Sequence, residues 1–419
     1  MVGFSAGLTA CLKGKVLPDP QLHEAISSNM GKRKRSASPS TPRRKSIHRK
    51  AKTTSPPQQP QRDDAEPSAS WLSVAAAAKE RIEKYQPEHR SHEQILQPSL
   101  NAFIEWLPEG GRESVARDII NATTDKDLYD VFHNLLTGLA IPSKPRKYGS
   151  ETIVITNLFL GTVKARSRRP SITESPYLKR QRNAEAVAAT LNEPEARDPT
   201  FRSLCLQRDR NCCVITGQMD TSYWEKLGCP TDINFGRTEG AHIIPFSYAS
   251  WDKSSEPPHD NASAWGVLWR CFPRLRQGGV RVETINDLSN GITLRDSVHI
   301  EFGQFSIALK PTDLDNTYEI IVFKRYPKLD RQALPESRRV ELKKADDAQD
   351  LALPNPDLLD CHYRLAEILN ASGMAEVIDR HYREWEDLKV SAYNLILRQD
   401  GGTDIGRFLR AGLWERVIG

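Results

Sequence analysis

The sequence predicts an α+β protein: a small strand–loop–strand–helix core with flanking helical regions and a disordered basic N-terminal tail. Three observations predict it. Apolar residues recur at helical intervals over 71–139 and again over 358–397. Short β-branched runs bounded by turn residues fall at 213–217, 241–245 and 292–294. Residues 28–70 are rich in Ser, Pro, Lys, Arg and Gln and carry no apolar periodicity.

Composition agrees with this division. Hydrophobic residues make up 38% of 419 and aromatic residues 7%, low for one globule, so part of the chain is expected to stay unfolded. No stretch approaches the roughly 18 apolar residues that a membrane span requires. The apolar stretch 3–12 has no basic residue before it, unlike a secretory signal, and the chain therefore reads as intracellular. Net charge is +5, yet ten cations and no acid lie between Lys32 and Lys52, so without them the remainder stands at −5. Folded parts of the chain must therefore attract nucleic acid through a local patch and not through an overall field. The seven cysteines contain no C-x-x-C pair and read as free, mostly buried thiols.

The tail, 1–70, holds Lys32-Arg-Lys-Arg35 and Arg43-Arg-Lys45, a two-part run of the kind that directs proteins to the nucleus. Ser38-Pro39, Thr41-Pro42 and Ser55-Pro56 are phosphate-acceptor patterns within it. The region 71–148 is expected to be helical: an Ala-rich stretch at 74–84, then Ile95, Leu96, Leu100, Phe103, Ile104 and Leu107, then segments at 115–120 and 128–139. Its histidines, His89, His92 and His133, lack partners at ligand spacing. Over 149–200, basic runs at 164–169 and 179–182 precede and enter a helix predicted at 177–191.

The region 201–326 is different in kind. A short helix at 202–208 leads to Cys213-Val-Ile-Thr-Gly217, read as a strand ending in a turn. Residues 241–245 form a second short strand, stopped by Pro245. A long connection with Trp251, Trp265 and Trp269 runs to the turn Asn290-Gly291, and 292–294 is the return strand. Asp296 is a candidate N-cap for a helix carrying Val298, His299 and Phe302. Segments 304–309 and 317–323 read as a terminal hairpin. Residues 327–355 are expected to be a linker and 356–419 a second helical region. The flanking helices offer faces for a homo-oligomer.

The chemistry-bearing residues are Glu239-Gly-Ala-His242-Ile-Ile-Pro245, Asn290-Gly-Ile-Thr-Leu294 and His299-Ile-Glu-Phe302. Hydrolysing a phosphodiester needs an activated water, neutralised phosphate oxygens and help for the departing alkoxide. A histidine suits the first task, and a divalent cation the other two. His242 and His299, on a strand and the helix that follows its partner, are placed to serve as base and metal ligand. Asn290, at the turn, is placed to hydrogen-bond across the loop.

Together with Cys213-Val-Ile-Thr-Gly217 and His299-Ile-Glu-Phe-Gly303, these segments resemble the HNH nuclease domain, the ββα-metal finger, in the subtype found in fungal HNH proteins. The resemblance covers roughly 201–309. It implies His242 as general base, Asn290 as the asparagine that sets the geometry and His299 as metal ligand, with Mg²⁺ or Mn²⁺ as the cofactor and nucleic acid, DNA foremost, as the partner. Two positions depart from the usual ligand pattern: Ala241 stands where an acidic ligand often precedes the first histidine, and Gly303 where a further ligand often follows the second. Glu239 and Asp296 are the acids near enough in sequence to substitute. A structural zinc is not expected, because Thr216, Arg295 and Val298 occupy the places of paired cysteines. Arg270, Arg274, Arg276, Arg281 and Arg295 surround the motif as candidate phosphate contacts. The rival to a metal-dependent endonuclease is a catalytically silent module that binds DNA or protein through the same scaffold. A third reading makes the helical flanks the working part, as an assembly scaffold.

Overall fold

The computed structural model describes residues 69–143, 153–155, 163–165, 172–191, 193–251 and 259–380. The expectations for the tail, the basic run 164–169 and the chain beyond 380 lie wholly or largely outside these residues.

Helices come first. α1 (Ala69–Glu83), α2 (Leu96–Trp106), α3 (Gly111–Asn121) and α4 (Asp125–Leu135) follow the apolar periodicity. Thr124 caps α4 by accepting from the Asp127 N–H, and the Asp127 carboxylate accepts in return from the Thr124 N–H. A wider turn at Leu136–Ala140 extends α4. Strands β1 (Ile153–Ile155) and β2 (Val163–Ala165) pair antiparallel. α5 (Leu178–Ala188) lies within the expected helix at 177–191.

α6 (Phe201–Arg208) opens the central region. Residues 213–217, expected as a strand, are instead a tight turn. The Gly217 N–H donates to the Cys213 carbonyl at 2.8 Å, the Cys213 thiol accepts from the Thr216 N–H, and Gly217 closes the turn at φ +70°. β-branched content favoured a strand here, but the turn is held from outside, by the Val214 N–H donating to the Thr293 carbonyl. β3 (Met219–Asp220), α7 (Thr221–Lys226) and β4 (Phe235–Gly236) form an excursion before the main pair.

β5 (Thr238–His242) runs antiparallel to β6 (Gly291–Arg295), with His242 opposite Gly291 and Thr238 opposite Arg295. Between them the long connection folds into α8 (His259–Cys271) and α9 (Pro273–Gln277), helices not anticipated from the sequence. α10 (Asp296–Gly303) follows β6 directly. Its N-cap is Arg295, so Asp296 is the first helical residue and not the cap, though still within the turn where an anion suits the helix dipole. β7 (Ile307–Pro311) and β8 (Thr317–Val322) form the expected hairpin. The stretch 327–355, expected as a linker, adds a third strand, β9 (Arg339–Glu341), on the β8 edge. α11 (Pro356–Ser372) starts with Asn355 accepting from the Asp357 N–H and ends at Gly373, φ +76°.

One hydrophobic core runs from Trp71 to Ile378. α8 packs on α3, on α5 and on the turn after α4, with Trp265 fully buried and its indole N–H donating to the Tyr248 carbonyl at 3.1 Å. α11 packs on α2 and β7, and the Arg364 guanidinium donates to the Trp106 carbonyl. The ββα unit is thereby held between the two helical regions. Five of the cysteines, Cys205, Cys213, Cys229, Cys271 and Cys361, are free, and all but Cys229 are buried. Among the described residues no helix is long and apolar enough to cross a membrane.

Candidate active site

The β5–β6 register places His242, the last residue of β5, opposite the glycine that opens β6. That glycine is required sterically. A Cβ at Gly291 would meet Cys205 Sγ at 2.6 Å and Phe201 Cζ at 2.8 Å. Its absence lets Phe201 of α6 lie flat on the His242 imidazole, with ring centroids 4.0 Å apart and planes 6° apart. Phe246 closes from another side, its centroid 5.7 Å from that of His242.

The imidazole's hydrogen bonding fixes its chemistry. Nε2 lies 3.3 Å from Asn286 Oδ1. The same amide donates through Nδ2 to the Ala196 carbonyl at 2.8 Å, so its oxygen must face the ring. A carboxamide oxygen only accepts, so His242 carries its proton on Nε2 and leaves Nδ1 as a lone-pair base. Nδ1 has no hydrogen bond among the described residues. Burial between two phenyl rings, reinforced by Arg197 and His299 nearby, lowers the His242 pKa to about 4, against the partial opposition of the Asn286 bond. The ring is neutral at pH 7.

Asn290 is buried and fully engaged. Its Oδ1 accepts from the Ile244 N–H at 2.8 Å, and its Nδ2 donates to the carbonyls of Ile244 (3.1 Å) and Ile285 (2.9 Å). The Ile243 N–H also donates to the Asn290 carbonyl. Asn290 therefore touches no substrate. It is a clamp that fixes where β5 ends and how His242 is aimed, a positioning role and not direct catalysis. Asn290→Ala leaves three backbone groups of this turn unpaired, at a cost of about 1–3 kcal/mol or more. Asn290→Asp should be worse still, because it sets a carboxylate against two carbonyl oxygens. Urea unfolding checks both, and an Ala midpoint equal to wild type would contradict the clamp.

His299 lies on α10, partly exposed, with no hydrogen bond at either ring nitrogen among the described residues. Burial lowers its pKa, Glu239 raises it and Arg197 lowers it further. The Glu239 carboxylate is thus electrostatically close to His299, and it also pairs with Arg237 at 3.1 Å. Among the described residues no group of three or more His, Cys, Asp or Glu side chains is gathered to hold a metal. The donors present, one uncommitted imidazole with the charge of one carboxylate acting on it, suit an open site for a hard divalent cation that takes its other ligands from phosphate oxygens and water. Glu239, given above only as a possible substitute ligand, is the acid whose charge acts on His299. Asp296 faces Arg295 instead, 3.8 Å from its Nε.

The arginines divide. Arg270 is largely buried, and its guanidinium pairs with Asp118 at 2.7 Å and reaches Asn134, which commits it to packing between α8 and α3. Arg274 sits near Asp357 of α11, and Arg276 lies over the Trp269 ring at 5.5 Å. No contact joins either to His242 or His299 among the described residues. Arg295, on β6 beside α10, is partly exposed. Phe201, Asn286 and Arg197 were not anticipated, because each reaches the site across a large sequence separation.

Residues 213–310, about a quarter of the chain, match a protein-family model described as HNH endonuclease. No curated protein and no solved structure matches the chain. HNH domains are generally dependent on divalent metal. Between the turn at Cys213 and strand β7, then, the chain carries a segment that matches the HNH endonuclease domain, a nuclease-type nucleic-acid-binding module.

Proposed function

We propose that the protein is a metal-dependent endonuclease that hydrolyses nucleic-acid phosphodiesters, with DNA as substrate and the nucleus as its location. The observation that carries the catalytic part is a neutral His242 with an oriented, unbonded Nδ1, set beside an uncommitted His299. His242 accepts a proton from water through Nδ1. The resulting hydroxide attacks phosphorus, one P–O ester bond breaks and the departing oxygen leaves opposite the attack. Asn286 keeps the proton on Nε2, so the base stays in its working tautomer. Phe201 and Phe246 exclude water from the ring faces. His299, with Glu239, would hold a divalent cation, which when bound neutralises charge on the phosphate oxygens and on the departing one. The ten-cation run between Lys32 and Lys52 supports nuclear import.

The test is cleavage of supercoiled plasmid by the full chain in Mg²⁺, Mn²⁺ or EDTA. Nicking in either metal that stops in EDTA supports the nuclease. One observation favours a second reading, a silent DNA-binding module: Ala241 and Gly303 at the usual ligand positions, with no three-ligand group among the described residues. Plasmid binding without cleavage in any metal would establish that reading.

The lowered histidine pKa values make a pH prediction. A histidine titrating near 6.5 would lose about tenfold of its basic form at pH 5.5. His242, at about 4, keeps nearly all of it, and His299 moves in the same direction. The acid limb of kcat/KM, which reports the free enzyme, should therefore lie well below 6.5. In the substrate complex the phosphate anion stabilises the imidazolium, so the acid limb of kcat should lie at higher pH than that of kcat/KM. Coincident limbs near 6.5 would contradict the buried geometry.

A further inference from the structure

We propose that Arg197, carried into the site by residues 193–198 from outside the HNH domain, grips a non-bridging oxygen of the phosphodiester on which His242 and His299 act. This rests on the nuclease reading above and names the group that anchors its substrate.

The strap is pinned on both sides of Arg197. The Glu195 N–H donates to the Ala249 carbonyl at 2.9 Å, and the Ala196 carbonyl accepts from Asn286 Nδ2 at 2.8 Å. Beyond it, the Asp198 carboxylate accepts from both the N–H and the hydroxyl of Thr200, and the strap turns into α6. One amide, Asn286, thus ties the strap to the base. Held this way, the Arg197 guanidinium lies 5.0 Å from the centroid of Phe246, the ring that itself flanks His242. Its charge reaches both histidines, weakening the proton affinity of each.

The site lacks a counter-charge for it. Arg197 is exposed, and no carboxylate lies within ion-pair distance of it among the described residues. Asp198 is engaged by Thr200, and Glu239 is paired with Arg237. A guanidinium lying over Phe246, its charge felt by two histidines and with no anion of its own among the described residues, makes a site that gains from an incoming anion. Its planar array of donors matches phosphate oxygens. The bland alternative is an arginine that only covers Phe246.

The full chain separates these. DNA affinity for a short duplex is measured in EDTA across a NaCl series for wild type, Arg197→Ala, Arg197→Lys and Lys84→Ala, the last removing an exposed charge in the turn just after α1. The basic tail contributes equally to all four. Loss of one phosphate contact should flatten the salt slope by about 0.9 in Arg197→Ala, with Arg197→Lys intermediate in affinity and Lys84→Ala unchanged. Wild-type slope and affinity in Arg197→Ala would overturn the proposal, even if wild type cuts plasmid in metal. A flattened slope in a protein that never cuts would overturn the nuclease reading and leave Arg197 as a phosphate contact. Failure of wild type to bind nucleic acid would overturn both.

Discussion

His242→Ala is expected to lower plasmid nicking on the order of 10²- to 10⁴-fold, the usual contribution of a positioned general base. The imidazole offers one lone pair, on Nδ1, and no other side chain contacting the ring can replace it: Phe201 and Phe246 are inert, and Asn286 is held between Nε2 and the strap. Removing a packed ring also leaves a gap against Phe201, so a drop in rate could arise from loosening alone. Two further measurements separate the causes. Added imidazole, small enough to occupy the vacated space, should restore part of the rate with an acid limb set by free imidazole and not by the protein. His242→Gln, which refills most of the volume and can still meet Asn286, should recover stability and not activity. Full activity in His242→Ala, with the plasmid still cut in metal and spared in EDTA, would move the base elsewhere.

The motif residues were legible in the sequence because their chemistry restricts residue type and their spacing is local. A histidine ending a short apolar strand, an Asn-Gly turn and a histidine four residues into a short helix can be read within sixty residues. The β5–β6 pair and α10 then bring them together much as the order implied. What made the site work was not legible. Asn286 was an unremarked loop residue, yet it fixes the His242 tautomer from 44 positions away and pins Ala196 from 90 away. Phe201 lay just ahead of the helix read at 202–208 and proves to be the floor beneath the base. Arg270 failed in the opposite direction. A cation near a nuclease motif reads as a phosphate contact, but its partner Asp118 lies 152 residues earlier and holds the guanidinium between α8 and α3. α8 was hidden by its tryptophans, which suggested an irregular loop; Ala262, Trp265 and Leu268 recur at helical spacing, and their apolar face is covered by helices from elsewhere in the chain. The turn at Cys213 was misread for a related reason, since a bond from β6 overrode local β-propensity.

These long-range ties share a direction. Phe201, Arg197 and the Ala196 carbonyl all come from the chain just before the matched HNH segment, and they meet at His242. α8 and α11 then brace that segment against α3 and α2. The ββα unit is therefore completed by its surroundings, and an excised 213–310 fragment would lack the ring beneath its base and the strap beside it.

The strongest of these ties is Arg208, at the end of α6. Its side chain is fully buried and makes two parallel bonds of 2.7 Å to the Asp209 carboxylate. The same guanidinium donates to the carbonyls of Leu288, Ala352 and Gly291. Asp209 in turn accepts from the Thr293 N–H in β6. One ion pair thus gathers α6, the turn that carries Asn290, the first half of β6 and the 327–355 stretch. Arg208→Met keeps much of the volume but strands the Asp209 carboxylate and three carbonyls in a dry interior. Breaking a buried pair from one side costs about 3–5 kcal/mol, which is a large share of the stability of a typical domain. Changing both partners removes the stranded charge, so Arg208→Met with Asp209→Asn should recover part of the loss, because burying the original charges was itself costly. Urea denaturation of the three variants measures this directly. A single substitution that loses under 1 kcal/mol would show that the carbonyls find other donors and that the pair is not what holds the Asn290 turn against β6.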